Sequence, residues 1–198
     1  MYYKNYKIFP TEILLFKQEE NEFDLDVPSM IQDIEEEIQQ QRHIDNGAVP
    51  VQSYSILWKD DIEWCGKQNE SWKNLQQSFI RCCEVYCEVC WGLSPEKFAI
   101  LHTNSWFYKT DSSLWKENPH NHFPATLSGI FYLKLNGGDK TVFYDPRNVS
   151  NQLKEWVFIP ETQENYWCIF PSHAQHSSMG TQTDLPRYVI AADAWLQI

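Results

Sequence analysis

Hydrophobic positions recur with two different periods along this chain, and the change of period falls near residue 97. In SMIQDIEEEIQQQR, Met30, Ile31, Ile34 and Ile38 follow three- and four-residue spacing, which predicts an amphipathic helix. Ser29 and Gln32 read as its capping box, and Glu35, Glu36 and Glu37 as a solvated outer face. A loop rich in Gly, Pro and Ser covers residues 45–53. In SWKNLQQSFIRCCEVYCEVCWG, a second helix gathers Trp72, Leu75, Phe79, Cys83, Tyr86, Cys87 and Cys90 on one stripe, leaves Cys82 off it, and ends at Gly92 with Pro95 beyond. From Lys97 onward the texture is aromatic and β-branched, in FAILHTNSWFYK, TLSGIFYLKL, KTVFYD, EWVFIP, YWCIFP and RYVIAADAWL. These are predicted strands. Connections such as LNGGDK and PRNVSNQ are too short to hold crossover helices, so the pairing is expected to be antiparallel, in an all-β sandwich or barrel with the two helices packed outside.

Composition adds limits to that picture. With 198 residues, 42% apolar and 15% aromatic, the chain has the material for one domain with a real core, divided into a helical amino-terminal part (1–96) and a β core (97–198). The net charge is -11, and residues 1–70 hold 15 acidic and 6 basic side chains. Such a field argues against a sequence-independent grip on nucleic acid or on an anionic membrane. No apolar run approaches the roughly 20 residues of a membrane span, and the start lacks a basic-then-apolar leader pattern, so a cytoplasmic protein is expected. The six cysteines read as buried side chains. A zinc or iron–sulfur site from Cys87-x-x-Cys90 would need a second ligand pair, and only Cys65 and Cys168 stand elsewhere.

Candidate chemistry concentrates on histidine. His120 and His122 precede a predicted strand in NPHNHFPATLSG, and His176 follows one in CIFPSHAQHSSMG. Two imidazoles one residue apart can turn toward a single point if the backbone kinks there, and a third from a distant strand can close a facial set of three ligands that leaves positions open. The alternative for each is an ordinary loop histidine. Eleven residues after His176, Arg187 opens a strand in which Arg187, Val189, Ala191 and Asp193 share a face. Its guanidinium can take the far carboxylate of a dicarboxylic co-substrate, or pair internally with Asp193 or Asp184.

In this order and spacing, HNH (120 to 122), TLSGIFYLKLNGGDKTVFYDP (126 to 146), His176 and Arg187 resemble the 2-oxoglutarate and Fe(II)-dependent oxygenases. A small subfamily of that superfamily is the nearer resemblance, carried by Phe9-Pro10-Thr11, Asn104 and Trp106, HNHFP, LSGIFYL (127 to 133), DPR (145 to 147), FPS (170 to 172) and His176-Ser177. The resemblance implies a double-stranded β-helix, or jelly roll, and a hydroxylase-type dioxygenase acting on a small molecule or peptide. It implies Fe(II) held by His120, His122 and His176, with Asp145 as the alternative third ligand because His122 stands where the wider superfamily has a carboxylate. It also implies 2-oxoglutarate with its 5-carboxylate on Arg187. The superfamily's Arg-x-Ser is Arg187-Tyr188-Val189 here, and Tyr132 is the candidate for the lost hydroxyl, its alternative being a core tyrosine. His173 has the wrong phase for the distal ligand. The competing reading is a non-enzymatic, cupin-like jelly-roll protein that binds a metal or ligand.

Overall fold

The β-rich half folds as its alternation dictates, into strands whose two faces serve two different cores. The computed structural model describes residues 11–18, 23–44, 54–59, 70–110, 118–137, 140–145, 157–158, 160–179 and 185–198. Phe9, Pro10, the loop at 45–53, Cys65, Pro146, Arg147 and Asp184 lie outside the described residues. The described elements are β1 (Leu14–Lys17), α1 (Val27–Ile44), β2 (Tyr54–Lys59), α2 (Glu70–Trp91), β3 (Ala99–Thr110), β4 (Leu127–Lys134), β5 (Lys140–Tyr144), β6 (Val157–Phe158), β7 (Tyr166–Pro171), β8 (His176–Met179) and β9 (Arg187–Gln197). A six-stranded sheet runs β1-β7-β4-β9-β3-β2 and a three-stranded sheet β6-β5-β8. Their strand pairs are antiparallel, as the short connections require.

The two faces of β9 show the division. Ile190, Ala192 and Ala194 join the core beneath the helices, with Phe79, Cys83, Trp167 and Met30. Val189, one residue out of phase, joins the core between the sheets, with Tyr108, Ile130, Tyr132, Phe143, Cys168 and Phe170. Arg187, Val189, Ala191 and Asp193 therefore line the inter-sheet face, as their alternation predicts. On the other face α2 packs through Trp72, Leu75, Phe79, Cys83, Tyr86 and Cys87 of the expected stripe, while Cys90, near the helix end, is only half-buried. Cys82 is buried as well, at 9% exposure, because the helix sinks deeply enough to cover the flank of that stripe. The cysteines described are free thiols. Gly92 ends α2 in the left-handed region at φ 64°, where the Leu93 amide returns to the Cys87 carbonyl.

Three details depart from the sequence expectation. Helix α1 opens at Val27, with Asp26 as its cap: the Asp26 carboxylate accepts from the Ser29 amide at 3.2 Å, so Ser29 lies in the first turn and opens no capping box. Glu35 is not simply solvated, since it receives Lys109 Nζ at 2.7 Å and the Tyr188 hydroxyl, tying α1 to the sheet. The amino-terminal part is not purely helical. Strand β1 pairs with β7 (Leu14 opposite Ile169), and β2 pairs with β3 (Ile56 opposite Trp106), so this part supplies both edges of the large sheet. Their partners stand about 50 to 150 residues away, and a short edge strand draws its stability from such pairing more than from its own pattern.

Candidate metal centre

His120 and His122 lie in an extended segment, where residues two apart project to the same side. Backbone pairing fixes that segment in place: His120 and His176 exchange both amide–carbonyl bonds at 2.9 Å, and the His122 amide donates to the Ser172 carbonyl at 2.9 Å. This lays the HNH run beside the start of β8, and one ring nitrogen from each of the three histidines comes within 4.8 Å of the others. The rings of His120 and His122 stack at 5.2 Å between centroids, and Phe143, Phe170 and Trp106 close around the group.

Hydrogen bonding sets which nitrogen each imidazole turns inward. The Nδ1–H of His120 donates to the Asn118 carbonyl at 3.1 Å, that of His176 to the Ala174 carbonyl at 3.1 Å, and that of His122 to Asp193 Oδ1 at 2.8 Å. Carbonyls and carboxylates only accept, so each Nδ1 carries hydrogen and each Nε2 is left to act as donor of a lone pair. The Nε2 atoms of His120 and His122 face one another at 3.2 Å. That separation suits a proton shared between the two rings, and it equally suits two ligands of one ion, since neighbouring ligands on one metal at about 2.1 Å per bond stand about 3 Å apart. The donor set therefore fits a divalent transition metal with open positions. Burial, with the nearby His122, pulls the His176 pKa down to about 3, so this imidazole is neutral and offers its lone pair across the physiological range.

The remaining predicted residues fall on both sides of this group. Asp145 follows the end of β5 and is half-buried, outside the three-imidazole group. His173 is exposed. Arg187 is 2% exposed and reaches from the large sheet to the small one, its Nη1 donating to Ser178 Oγ at 2.6 Å. Tyr132 makes the same crossing: its hydroxyl bonds Thr141 Oγ1 at 2.9 Å, and burial drives its pKa well above the ordinary phenol value while nearby Arg187 draws it the other way. Asp193 is not the partner of Arg187. It lies six residues along β9, roughly 20 Å away, on His122.

Several further residues complete the group. Ser128, of the LSG run, donates to Asp193 Oδ1 at 2.6 Å and bonds Ser172, of the FPS run, at 2.8 Å. Thr110 on β3 stands directly opposite Arg187, so the two project to the same face. Its buried Oγ1 finds no hydrogen-bond partner among the described residues.

Fold and site together define an antiparallel two-sheet β protein with three convergent imidazoles between its sheets and a buried arginine further in. The same fold is found in a prolyl-4-hydroxylase from Pseudomonas putida, at 11% identity and TM-score 0.54, over 92% of this chain and 91% of that one. It is found again in a prolyl hydroxylase in complex with a hypoxia inducible factor oxygen degradation domain peptide fragment from Trichoplax adhaerens, at 14% identity and TM-score 0.53, over 92% and 83%. No protein-family model and no curated protein matches the sequence.

Proposed function

We propose that the chain is a non-haem Fe(II)- and 2-oxoglutarate-dependent dioxygenase, built as a double-stranded β-helix in a single domain spanning residues 1–198, that hydroxylates a small-molecule or peptide substrate. The observation that carries this reading is the convergence of three Nδ1-anchored imidazoles on one point, in a fold shared with two prolyl hydroxylases. His120, His122 and His176 would hold the metal through Nε2. His122 is favoured over Asp145 as third ligand because the closed donor group contains it.

Bound Fe(II) would supply the oxygen chemistry, in which oxidative decarboxylation of 2-oxoglutarate to succinate and carbon dioxide is coupled to oxygen insertion into a substrate C–H bond. The chain's own part is positioning. On β8, His176 and Ser178 share a face and stand about 7 Å apart. The terminal carbons of a five-carbon dicarboxylate are about 5 Å apart, from four C–C bonds of about 1.5 Å. A dicarboxylate with one end at the imidazoles would then have Arg187, which bonds Ser178, to receive its other end, with Thr110 opposite Arg187 in the sheet and Tyr132 nearby. Phe143 and Phe170 pack against the His176 ring and Trp106 against that of His122. A peptide substrate gains support from the Trichoplax enzyme, which was solved with a peptide fragment. Cytoplasmic residence is supported by the free thiols, and no helix among the described residues is long and apolar enough to cross a membrane.

Anaerobic Fe(II) titration tests the ligand set. About one equivalent should bind per chain, and His176→Ala should abolish binding, because two ligands chelate weakly. Unchanged affinity in that variant would refute the site. If His122→Ala retains iron while Asp145→Ala loses it, the third ligand is Asp145.

A further inference from the structure

Asp193 is the one carboxylate built into the described site, and it reaches the imidazole group at one remove. It is 6% exposed, placed on β9 between Asn104 of β3 and Ser128 of β4. A single oxygen, Oδ1, accepts both the His122 Nδ1–H at 2.8 Å and the Ser128 hydroxyl at 2.6 Å. Ser128 is in turn bonded to Ser172, and both serines are fully buried. Burying a carboxylate is costly unless charge and hydrogen bonds compensate it. Here the hydrogen bonds come from a serine pair and an imidazole, and the side chain's charge is directed at His122, whose other nitrogen faces His120.

Resting on the reading of the three histidines as a metal centre, we propose that Asp193 is a positioning residue that supplies, through His122, the negative charge that a directly ligating carboxylate would otherwise bring. Two effects follow from the one hydrogen bond. It holds His122 in the Nδ1–H tautomer, so that Nε2 alone is presented to the ion. It also draws density toward Nε2, which makes the ring a stronger donor. The Ser172–Ser128 pair keeps Asp193 from turning away. The site is then three neutral nitrogens backed by one buried anion.

Orientation and charge separate by substitution. In Asp193→Asn the side-chain oxygen still accepts from His122 and Ser128, so geometry survives and charge is lost. Asp193→Ala removes both. Co(II), used as a redox-stable probe, should bind roughly tenfold more weakly to Asp193→Asn and towards 100-fold more weakly to Asp193→Ala. Thermal unfolding of the Asp193→Asn protein without metal should stay close to wild type. Imidazole nitrogen NMR of the metal-free protein gives a readout independent of metal and turnover: His122 should be the Nδ1–H tautomer in wild type and Asp193→Asn, and a mixture of tautomers in Asp193→Ala. A purely structural role would move neither Co(II) affinity nor tautomer in a variant that is normally folded. Wild-type affinity in Asp193→Asn overturns the proposal and leaves the metal centre standing. Failure of the wild-type protein to bind Co(II) or Fe(II) overturns the metal centre and the proposal together.

Discussion

At the scale of single residues, the site is a matter of which nitrogen each histidine keeps. His176 illustrates the cost of having it ready: buried to 3% exposure, its imidazole is pushed down to about pKa 3, chiefly by loss of water and then by His122. Its ordinary value is about 6.5. Between pH 6.5 and 3 the folded protein therefore binds fewer protons here than the unfolded chain. The stabilisation is fully present above 6.5 and drains away as pH falls toward 3, at ~1.4 kcal/mol per pH unit at most. In metal-free protein the urea midpoint should decline with acidification through that window, less steeply in His176→Gln, and the His176 ring resonances should not titrate between pH 5 and 8. A titration centred near 6.5 would contradict the burial. The three histidines were legible in the sequence because HNH sets two rings one residue apart just before a predicted strand, and because His176 follows a strong strand pattern. Asp193, Ser128 and Ser172 were not legible as a unit, since their bonds join positions 44 to 71 residues apart and each is ordinary alone.

Elements show the same division between local pattern and distant partner. The stripe on α2 and the alternation along β9 follow from spacing, and both were readable in advance. Strands β1, β2 and β8 were not. HSSM has a single apolar residue, Met179, and no apolar alternation, and it becomes a strand because Phe143 and Thr141 of β5 pair with His176 and Ser178. The Gly129 of LSG has an element-scale reason too. A Cβ there would stand 2.8 Å from both Ile169 Cδ1 and Phe79 Cε2, so its missing side chain is what lets α2 settle onto β4 and β7. Phe79 is fully buried, its ring tilted against Trp167 at 5.0 Å between centroids, so it has little room to yield. Gly129→Ala should overpack this contact and cost roughly 1–3 kcal/mol in urea denaturation. An unchanged midpoint would mean that the helix rides more loosely than its contacts indicate.

For the whole molecule, the proposed function requires the two sheets to hold the imidazole group and Arg187 at the spacing of one dicarboxylate. The antiparallel architecture was legible from short connections, whereas the bridging of the sheets by Arg187 to Ser178 and Tyr132 to Thr141 was not, because it depends on how the sheets face each other. Calorimetric titration of anaerobic, Fe(II)-loaded protein with 2-oxoglutarate tests that requirement most directly. Removing one partner of a buried charge pair typically costs about 3–5 kcal/mol, so Arg187→Met should raise the dissociation constant by about two to three orders of magnitude or more, with iron binding intact. Arg187→Lys should fall between, since it keeps the charge and loses the bidentate fork. Equal affinity in wild type and Arg187→Met would make Arg187 an internal structural residue, and no binding of 2-oxoglutarate to wild type would contradict the dioxygenase account in favour of a jelly-roll protein that binds some other ligand.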